Sequence, residues 1–340
     1  MLNEDMRKGL LLTTIIVLWA AAIPAAETSD SPASKTVAAA KDLLATLNPE
    51  QRRKVQFEFG NADQRKRWSN LPTGAFKREG LRLGDLTEPQ RNAVWTLLRS
   101  ALSTNGYEKV RRIVEAEEML KGTSGRMMFG KDEFYVSFLG EPSATEPWII
   151  QFGGHHLGMN ITLAGDRGTL APSHTGAQPA IYELEGKTIR PLGQENDKAF
   201  ALVNSLDDAQ RKQAILGVQM RDLVLGPGRD GPMIQPEGIK GAALNEKQRE
   251  MLLDLAGEWT GIQNETVANA KMVELKKNIQ ETWFAWAGPT EKGSAAYFRI
   301  QGPTVFIEYA PQRLGGDTTK HTHTIYRDPT NEYGGKWWKR

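Results

Sequence analysis

The pattern of apolar and polar positions predicts that groups of short helices precede groups of short strands. Apolar residues recur every three or four positions in TVAAAKDLLATL, PQRNAVWTLLRSAL and YEKVRRIVEAEEML, as amphipathic helices require. Short runs rich in β-branched and aromatic residues follow, namely RMMFG, FYVSFLG, PWIIQFGG, LGMNITLAG and TIRPL. Helices followed by strands recur from KAFALVNSL to HTIYR, with AQRKQAILGVQM as one of the helices. Since helices and strands do not alternate regularly, we expect an α+β fold with antiparallel strands.

One hexamer occurs four times, as LNPEQR from Leu47, LTEPQR from Leu86, LDDAQR from Leu206 and LNEKQR from Leu244. Each copy predicts a helix start, because its second residue can cap the helix and its Gln can reach back to that cap. The first two copies are 39 residues apart and the last two are 38 apart. This matched spacing predicts an internal duplication, with a first half over residues 27–193 and a second half over residues 194–340.

The beginning of the chain has the pattern of a secretory signal peptide. Arg7 and Lys8 precede an apolar run from Leu10 to Ala22, and small residues follow. A membrane span needs about 20 apolar residues, so this run is too short to serve as one. We therefore expect residues 1–26 to be removed, no membrane span to remain after cleavage, and the protein to be secreted or periplasmic.

Composition excludes several classes of function. The chain has 43 basic and 41 acidic residues, so no general positive field would gather nucleic acid. It has no Cys, which excludes disulfides, thiolate metal sites and a Cys nucleophile. GxSxG, HExxH and Walker motifs do not occur, no dinucleotide-binding fingerprint follows a predicted strand, and we expect no nucleotide cofactor. A metal ion or a small molecule is the expected partner, and the oligomeric state is left open.

The five histidines form two groups, and four of them lie in close pairs. His321 and His323 are two residues apart on a predicted strand, so both imidazoles point to one face. His155 and His156 are adjacent and would face opposite sides of a regular strand, but the preceding Gly-Gly pair relaxes that limit. We expect one transition-metal ion, copper or zinc, held by His156 and His323 with His155 or His321.

Other side chains could complete such a site. Candidate extra ligands are Met159, Asp166, Glu308 and Asp328. Glu308 or Asp328 could act as a base and Arg327 could orient a substrate, although Arg327 and Asp328 could equally form an ion pair that supports a turn. His174 lies in a predicted loop rich in Pro and Gly, where we expect an exposed or capping role.

Three functions remain open at this point. The first is metal binding or metal handling. The second is a metal-dependent hydrolase or oxidoreductase, in which the ion activates water or dioxygen. The third is a ligand-binding or interaction module without metal, in which hydrogen bonds satisfy the histidine pairs.

At FGGHHLGMN, YFRIQGPTVFIEY and HTHTIYRDPTNEYGG, the chain resembles domain-of-unknown-function family 3500, a group of exported bacterial and fungal proteins. The resemblance covers nearly the whole mature chain. It implies export and groups Gly153 to His156 with His321, His323 and Arg327 to Asn331. It implies no activity.

Overall fold

The computed structural model describes residues 31–220, 222–313 and 316–338. The segment predicted to be a signal peptide, residues 1–26, lies outside these ranges. The helices are α1 (Pro32–Ala45), α2 (Pro49–Val55), α3 (Ala62–Arg65), α4 (Glu88–Ala101), α5 (Thr104–Ser124), α6 (Gly193–Ser205), α7 (Asp208–Ala214), α8 (Glu246–Thr260) and α9 (Glu265–Lys277).

The strands of the first half are β1 (Gln56–Phe57), β2 (Leu81–Arg82), β3 (Tyr135–Leu139), β4 (Trp148–Gly154), β5 (Leu157–Ala164), β6 (Arg167–Thr169), β7 (Ser173–Ala177), β8 (Tyr182–Leu184) and β9 (Lys187–Ile189). The strands of the second half are β10 (Ile239–Lys240), β11 (Trp283–Ala287), β12 (Tyr297–Gly302), β13 (Val305–Pro311) and β14 (Thr322–Arg327).

Both halves contribute to one 12-stranded sheet, whose main order is β1-β3-β4-β5-β7-β14-β13-β12-β11-β10. β2 and β6 pair with β3 and β5 beside this path, and β8 and β9 form a separate hairpin. The two halves meet where β7 pairs antiparallel with β14. Thr175 and Thr324 lie directly opposite each other there, and their hydroxyl oxygens are 2.7 Å apart. The sheet therefore brings residues of both halves to its centre.

The two faces of the sheet are covered differently. Helices cover one face, where residues such as Leu98 and Ile113 pack with strand residues such as Phe152 and Phe298 in one large apolar cluster. On the other face, Trp68 and Leu225 pack with Phe306 and Ile325. Trp68 and Leu225 belong to two largely irregular stretches, which we call the first cover segment (residues 58–80) and the second cover segment (residues 216–220 and 222–238).

The four predicted helix starts are confirmed as capping boxes at the beginnings of α2, α4, α7 and α8. Within each half the two capping glutamines also bond to each other. Nε2 of Gln90 donates to Gln51 at 3.0 Å, and Nε2 of Gln248 donates to Gln210 at 2.8 Å. The repeated hexamer therefore joins two helix starts in each half.

The structure confirms the α+β class and corrects several details. RMMFG forms no strand, and α7 ends at Ala214, earlier than the sequence predicts. The strands are not all antiparallel, because β1 pairs parallel with β3. His174 does not lie in an exposed loop, since it is fully buried in β7. No helix within the described ranges is both long enough and apolar enough to cross a membrane.

Candidate metal centre

The tight turn between β4 and β5 consists of His155 and His156. His156 adopts a left-handed backbone with φ of 60°, and its carbonyl accepts a hydrogen bond from the Gly176 amide at 2.7 Å. A Cβ atom at Gly176 would lie 3.1 Å from Cδ2 of His323 and 3.2 Å from Cδ2 of His156. Because residue 176 of β7 is a glycine, the imidazoles of His323 and His156 have room beside this strand.

Three imidazole nitrogens from the two halves meet at this point. Nε2 of His156 is 2.9 Å from Nε2 of His321, which is 3.1 Å from Nε2 of His323. His321 immediately precedes β14, and His323 lies within it. All three side chains are buried, with exposed fractions between 0% and 6%. We call these three atoms the Nε2 triad.

Hydrogen bonds alone account poorly for the Nε2 triad. An imidazole nitrogen offers either one hydrogen or one lone pair, so Nε2 of His321 can make a well-directed bond to only one neighbour. Zinc–nitrogen bonds of about 2.0–2.1 Å in tetrahedral geometry place ligand nitrogens about 3.3 Å apart. The two short separations are close to that spacing, so a small shift of the rings would accommodate an ion.

Glu117 of α5 forms hydrogen bonds with both histidines of the β4–β5 turn. Its carboxylate accepts from Nδ1 of His156 at 2.5 Å and from Nδ1 of His155 at 3.0 Å. When Nδ1 of neutral His156 carries the proton, Nε2 keeps its lone pair, which faces the other two nitrogens of the triad. Burial raises the pKa of Glu117, and the hydrogen bond to His155 opposes that rise. Burial, followed by the neighbouring imidazoles, lowers the pKa of His156 well below its usual value. Burial and its partners therefore favour the neutral, ligating form of His156.

Each cover segment places one polar side chain near Nδ1 of His323. Nδ1 of His323 lies 3.4 Å from Nδ2 of Asn70 and 3.7 Å from Oδ1 of Asp222. Burial alone would raise the pKa of Asp222, but its interactions with His323, the Leu223 amide and Gln312 together lower it. Each half of the chain thus supplies one polar side chain to the same imidazole.

His174 lies buried beside His323, and not in the exposed position that the sequence predicts. Its ring centroid lies 5.1 Å from that of His323, and its ring nitrogens make no well-aligned hydrogen bond within the described part of the chain. Burial, followed by nearby imidazoles, lowers its pKa well below the usual value. The Thr324 backbone interacts with the ring and acts against the lowering of its pKa. A signal was present in the sequence, because SHT from Ser173 in the first half matches THT from Thr322 in the second half. The two tripeptides lie on the two central strands, β7 and β14.

The structure does not bring the predicted catalytic candidates to the Nε2 triad as partners. Glu308 accepts from the Tyr297 hydroxyl at 2.6 Å and from the amides of Val224 and Leu225 at 2.9 and 2.8 Å. Arg327 donates to Asp230 and Glu332, and to the carbonyls of Leu225 and Gly226. These contacts tether the second cover segment to the sheet.

The remaining candidate ligands are Asp328, Met159 and Asp166, and none of them is grouped with the Nε2 triad. Asp328 forms an ion pair with Lys271 at 2.7 Å and accepts from the amide and hydroxyl of Thr330. Met159 packs in the apolar cluster beneath the helices. Asp166 lies in an exposed turn between β5 and β6. Of the sequence-predicted site residues, the four paired histidines are therefore the ones that lie together.

The chain belongs to the family of proteins of unknown function designated DUF3500, whose profile matches residues 29–335. The family assignment confirms the resemblance seen at the histidine motifs. No curated protein and no solved structure matches the chain significantly. The buried clusters of His156 with His321 and His323, and of Glu117 with His155 and His156, have donor sets that could hold a metal ion.

Proposed function

We propose that this protein binds one transition-metal ion, copper or zinc, through Nε2 of His156, His321 and His323. The convergence of these three buried nitrogens carries the proposal. Imidazole nitrogen suits both metals, and the lack of Cys excludes the thiolate sites that soft metals otherwise use.

The surroundings of the triad support a metal centre. A metal-ligating histidine usually donates its other ring N–H to a carboxylate or carbonyl, which fixes the tautomer and the orientation of the ring. Glu117 supplies that acceptor to His156. Asp222, 3.7 Å from Nδ1 of His323, is placed to act in a similar way after a small approach. The ligand set would therefore be oriented before the ion arrives.

A metal-dependent hydrolase or oxidoreductase is the second candidate function. Within the described residues, no further His or carboxylate belongs to the cluster formed by the triad. Three protein ligands with a remaining position for solvent or substrate are typical of catalytic zinc, whereas structural zinc usually has four protein ligands. The ligand count therefore favours chemistry at the ion over a purely structural ion.

Metal analysis of variants tests the proposal. Wild-type protein, stripped with chelator and dialysed against one equivalent of zinc or copper, should retain about one ion per chain. A His156→Ala/His323→Ala double variant should retain almost none. His174→Leu is the matched control, because it removes a buried imidazole on the same face that does not belong to the triad. Equal metal content in the wild type and the double variant would refute the site.

We also propose that the protein is exported through residues 1–26. The charged start, the short apolar run and the small residues after it support this. Sequencing the N-terminus of protein recovered from outside the cytoplasm should give a start between Ile23 and Glu27. Recovery of a chain that begins at Met1 would contradict cleavage.

We further infer that residues 27–193 and 194–340 arose by duplication. The matched hexamers, the equivalent glutamine pairs and the mirrored strand order support this inference. Relatives aligned half against half should keep the hexamers at the same spacing. Their frequent absence from one half would contradict a common origin.

A further inference from the structure

A cavity lies on the triad's face of the sheet, two strands away from His323. His323 of β14 is directly opposite Ala310 of β13, and Ala310 packs with Tyr297 of β12 and Ala287 of β11. Because Ala310 and Ala287 have small side chains, the surface of the sheet is recessed on either side of the Tyr297 ring. The start of the second cover segment lies along this surface, with Met220 packing against it.

The cavity has a volume of about 610 Å³, within the range of small-molecule sites. Its walls are mainly apolar and include Leu216, Met220, Ala287, Pro289 and Pro311. The Tyr297 hydroxyl is bonded to Glu308, so the tyrosine presents its ring to the cavity without a free polar end. The walls therefore suit the apolar body of a ligand.

Exposed apolar side chains lie at the mouth of the cavity. Val218, which lines it, is 59% exposed, and Ile215 beside the lining residues is 36% exposed. A bound apolar group would remove them from water.

Among the described residues that line the cavity, Arg313 is the one that carries a charge. Arg313 donates to the side-chain oxygen of Gln219 at 3.1 Å, and no carboxylate in the described ranges lies within ion-pair distance of it. An arginine that lacks a carboxylate partner can bind an anionic group through charge-assisted hydrogen bonds. The lining therefore combines an apolar chamber with a single positive charge at its edge.

From this arrangement we propose that the cavity binds a small organic monoanion with an apolar body, such as a medium-chain carboxylate. The carboxylate pairs with Arg313, and the chain lies against Tyr297 and Met220. The proposal goes beyond metal binding and does not rest on it, because none of the cavity-lining residues belongs to the triad.

The cavity nevertheless adjoins the metal centre through neighbouring residues. Gln312, between the lining residues Pro311 and Arg313, donates to Asp222 at 2.9 Å, and Asp222 approaches His323. A ligand at Arg313 would therefore bind next to side chains that contact the triad.

Calorimetric titration of metal-free protein with octanoate tests the proposal, with octan-1-ol as a neutral probe of the same chain length. We expect one octanoate to bind per chain and octan-1-ol to bind about tenfold more weakly, because it lacks the charge-assisted contact. Arg313→Gln should weaken octanoate about tenfold and leave octan-1-ol unchanged.

A second pair of variants separates occupation of the cavity from binding elsewhere. Gly217 lines the cavity, and a Cβ atom there would meet nothing within 4 Å, so Gly217→Phe can fill the space without a backbone clash. Gly60→Phe is the matched control, since Gly60 is equally open and lies in the first cover segment. Octanoate binding should be lost in Gly217→Phe and unchanged in Gly60→Phe.

Three results would overturn the proposal. They are absence of octanoate binding to the wild type, equal affinity for octanoate and octan-1-ol, and unchanged octanoate affinity in Arg313→Gln or Gly217→Phe. Because the titration uses metal-free protein, its failure would not affect the metal proposal, which is tested by metal content.

Discussion

The carboxylate of Glu117 lies 2.5 Å from Nδ1 of His156, and this contact decides which nitrogen of the ring faces the Nε2 triad. Glu117 comes from α5 and His156 from the β4–β5 turn, so the contact joins the helical layer to the sheet. A carboxylate that accepts from Nδ1 leaves Nε2 as the metal-binding atom. The helix therefore prepares the imidazole for an ion.

Replacing Glu117 should weaken the metal centre without removing a ligand. Because a neutral amide is a poorer acceptor than a carboxylate for the two Nδ1 hydrogens, we expect Glu117→Gln to lower metal affinity about 10- to 100-fold. Competition with a chromogenic chelator measures the change. Glu118→Gln is the control, since Glu118 accepts from the Lys131 amide and not from a histidine. Equal affinities in the two variants would show that Glu117 does not support the site.

The buried histidines predict a specific pH dependence for the metal-free protein. Burial is the main cause that holds the pKa values of His156, His174 and His323 below the usual 6.5. Between these lowered values and 6.5, the unfolded chain binds more protons than the folded chain, so stability falls as pH falls through that window. We expect Tm to decrease as the pH is lowered from about 7.5 to about 5.5.

His174→Leu separates this effect from the titration of carboxylates. The variant removes one imidazole that must stay neutral in the folded state, so its Tm should fall less over the same pH range than that of the wild type. Since His174 makes no well-aligned hydrogen bond in the described structure, the substitution should cost little stability at neutral pH. An equal or steeper fall of Tm in the variant would contradict this assignment.

Glu308 should prove important for stability and unimportant for metal binding. Glu308→Ala leaves the Tyr297 hydroxyl and two backbone amides without their acceptor, which should cost about 3 kcal/mol in the free energy of unfolding. Urea unfolding of the metal-free protein gives this value. Tyr297→Phe, which removes one of the three bonds, should cost about 1 kcal/mol. Metal content should stay at the wild-type level in both variants, and its loss in Glu308→Ala alone would make Glu308 part of the site.

The equivalent glutamines of the two halves should contribute similar stability. Gln90 bonds to the Thr87 amide, the Thr46 carbonyl and Gln51, while Gln248 bonds to the Asn245 amide, the Ser205 carbonyl and Gln210. We expect Gln90→Ala and Gln248→Ala each to cost about 1–2 kcal/mol in the free energy of unfolding. The double variant should show additive losses, because the two sites share no partner. A large difference between the single variants would mean that the equivalent contacts carry unequal weight.

Local patterns predicted much of the fold. The capping hexamers identified four helix starts, and runs such as FYVSFLG and TVFIEYA marked β3 and β13, because these signals depend on short stretches of chain. The joining of β7 to β14 depends on pairing between residues about 150 positions apart, which a local pattern does not specify. The parallel pairing of β1 with β3 was missed for the same reason.

The candidate site was predicted in part. Pairing of the histidines in sequence singled out His155, His156, His321 and His323, and the fold brings all four together. Glu117 was missed because it lies on a helix whose sequence reads as an ordinary amphipathic surface. The contacts of Glu308 and Arg327 with the second cover segment were not predicted, because the sequence does not reveal the path of that segment.

The most direct test of the account is the anomalous diffraction of crystals grown from zinc-loaded protein, measured on both sides of the zinc absorption edge. We expect one strong anomalous peak about 2.0–2.1 Å from Nε2 of His156, His321 and His323. A peak at other residues, or an Nε2 triad without a peak in zinc-loaded protein, would contradict it.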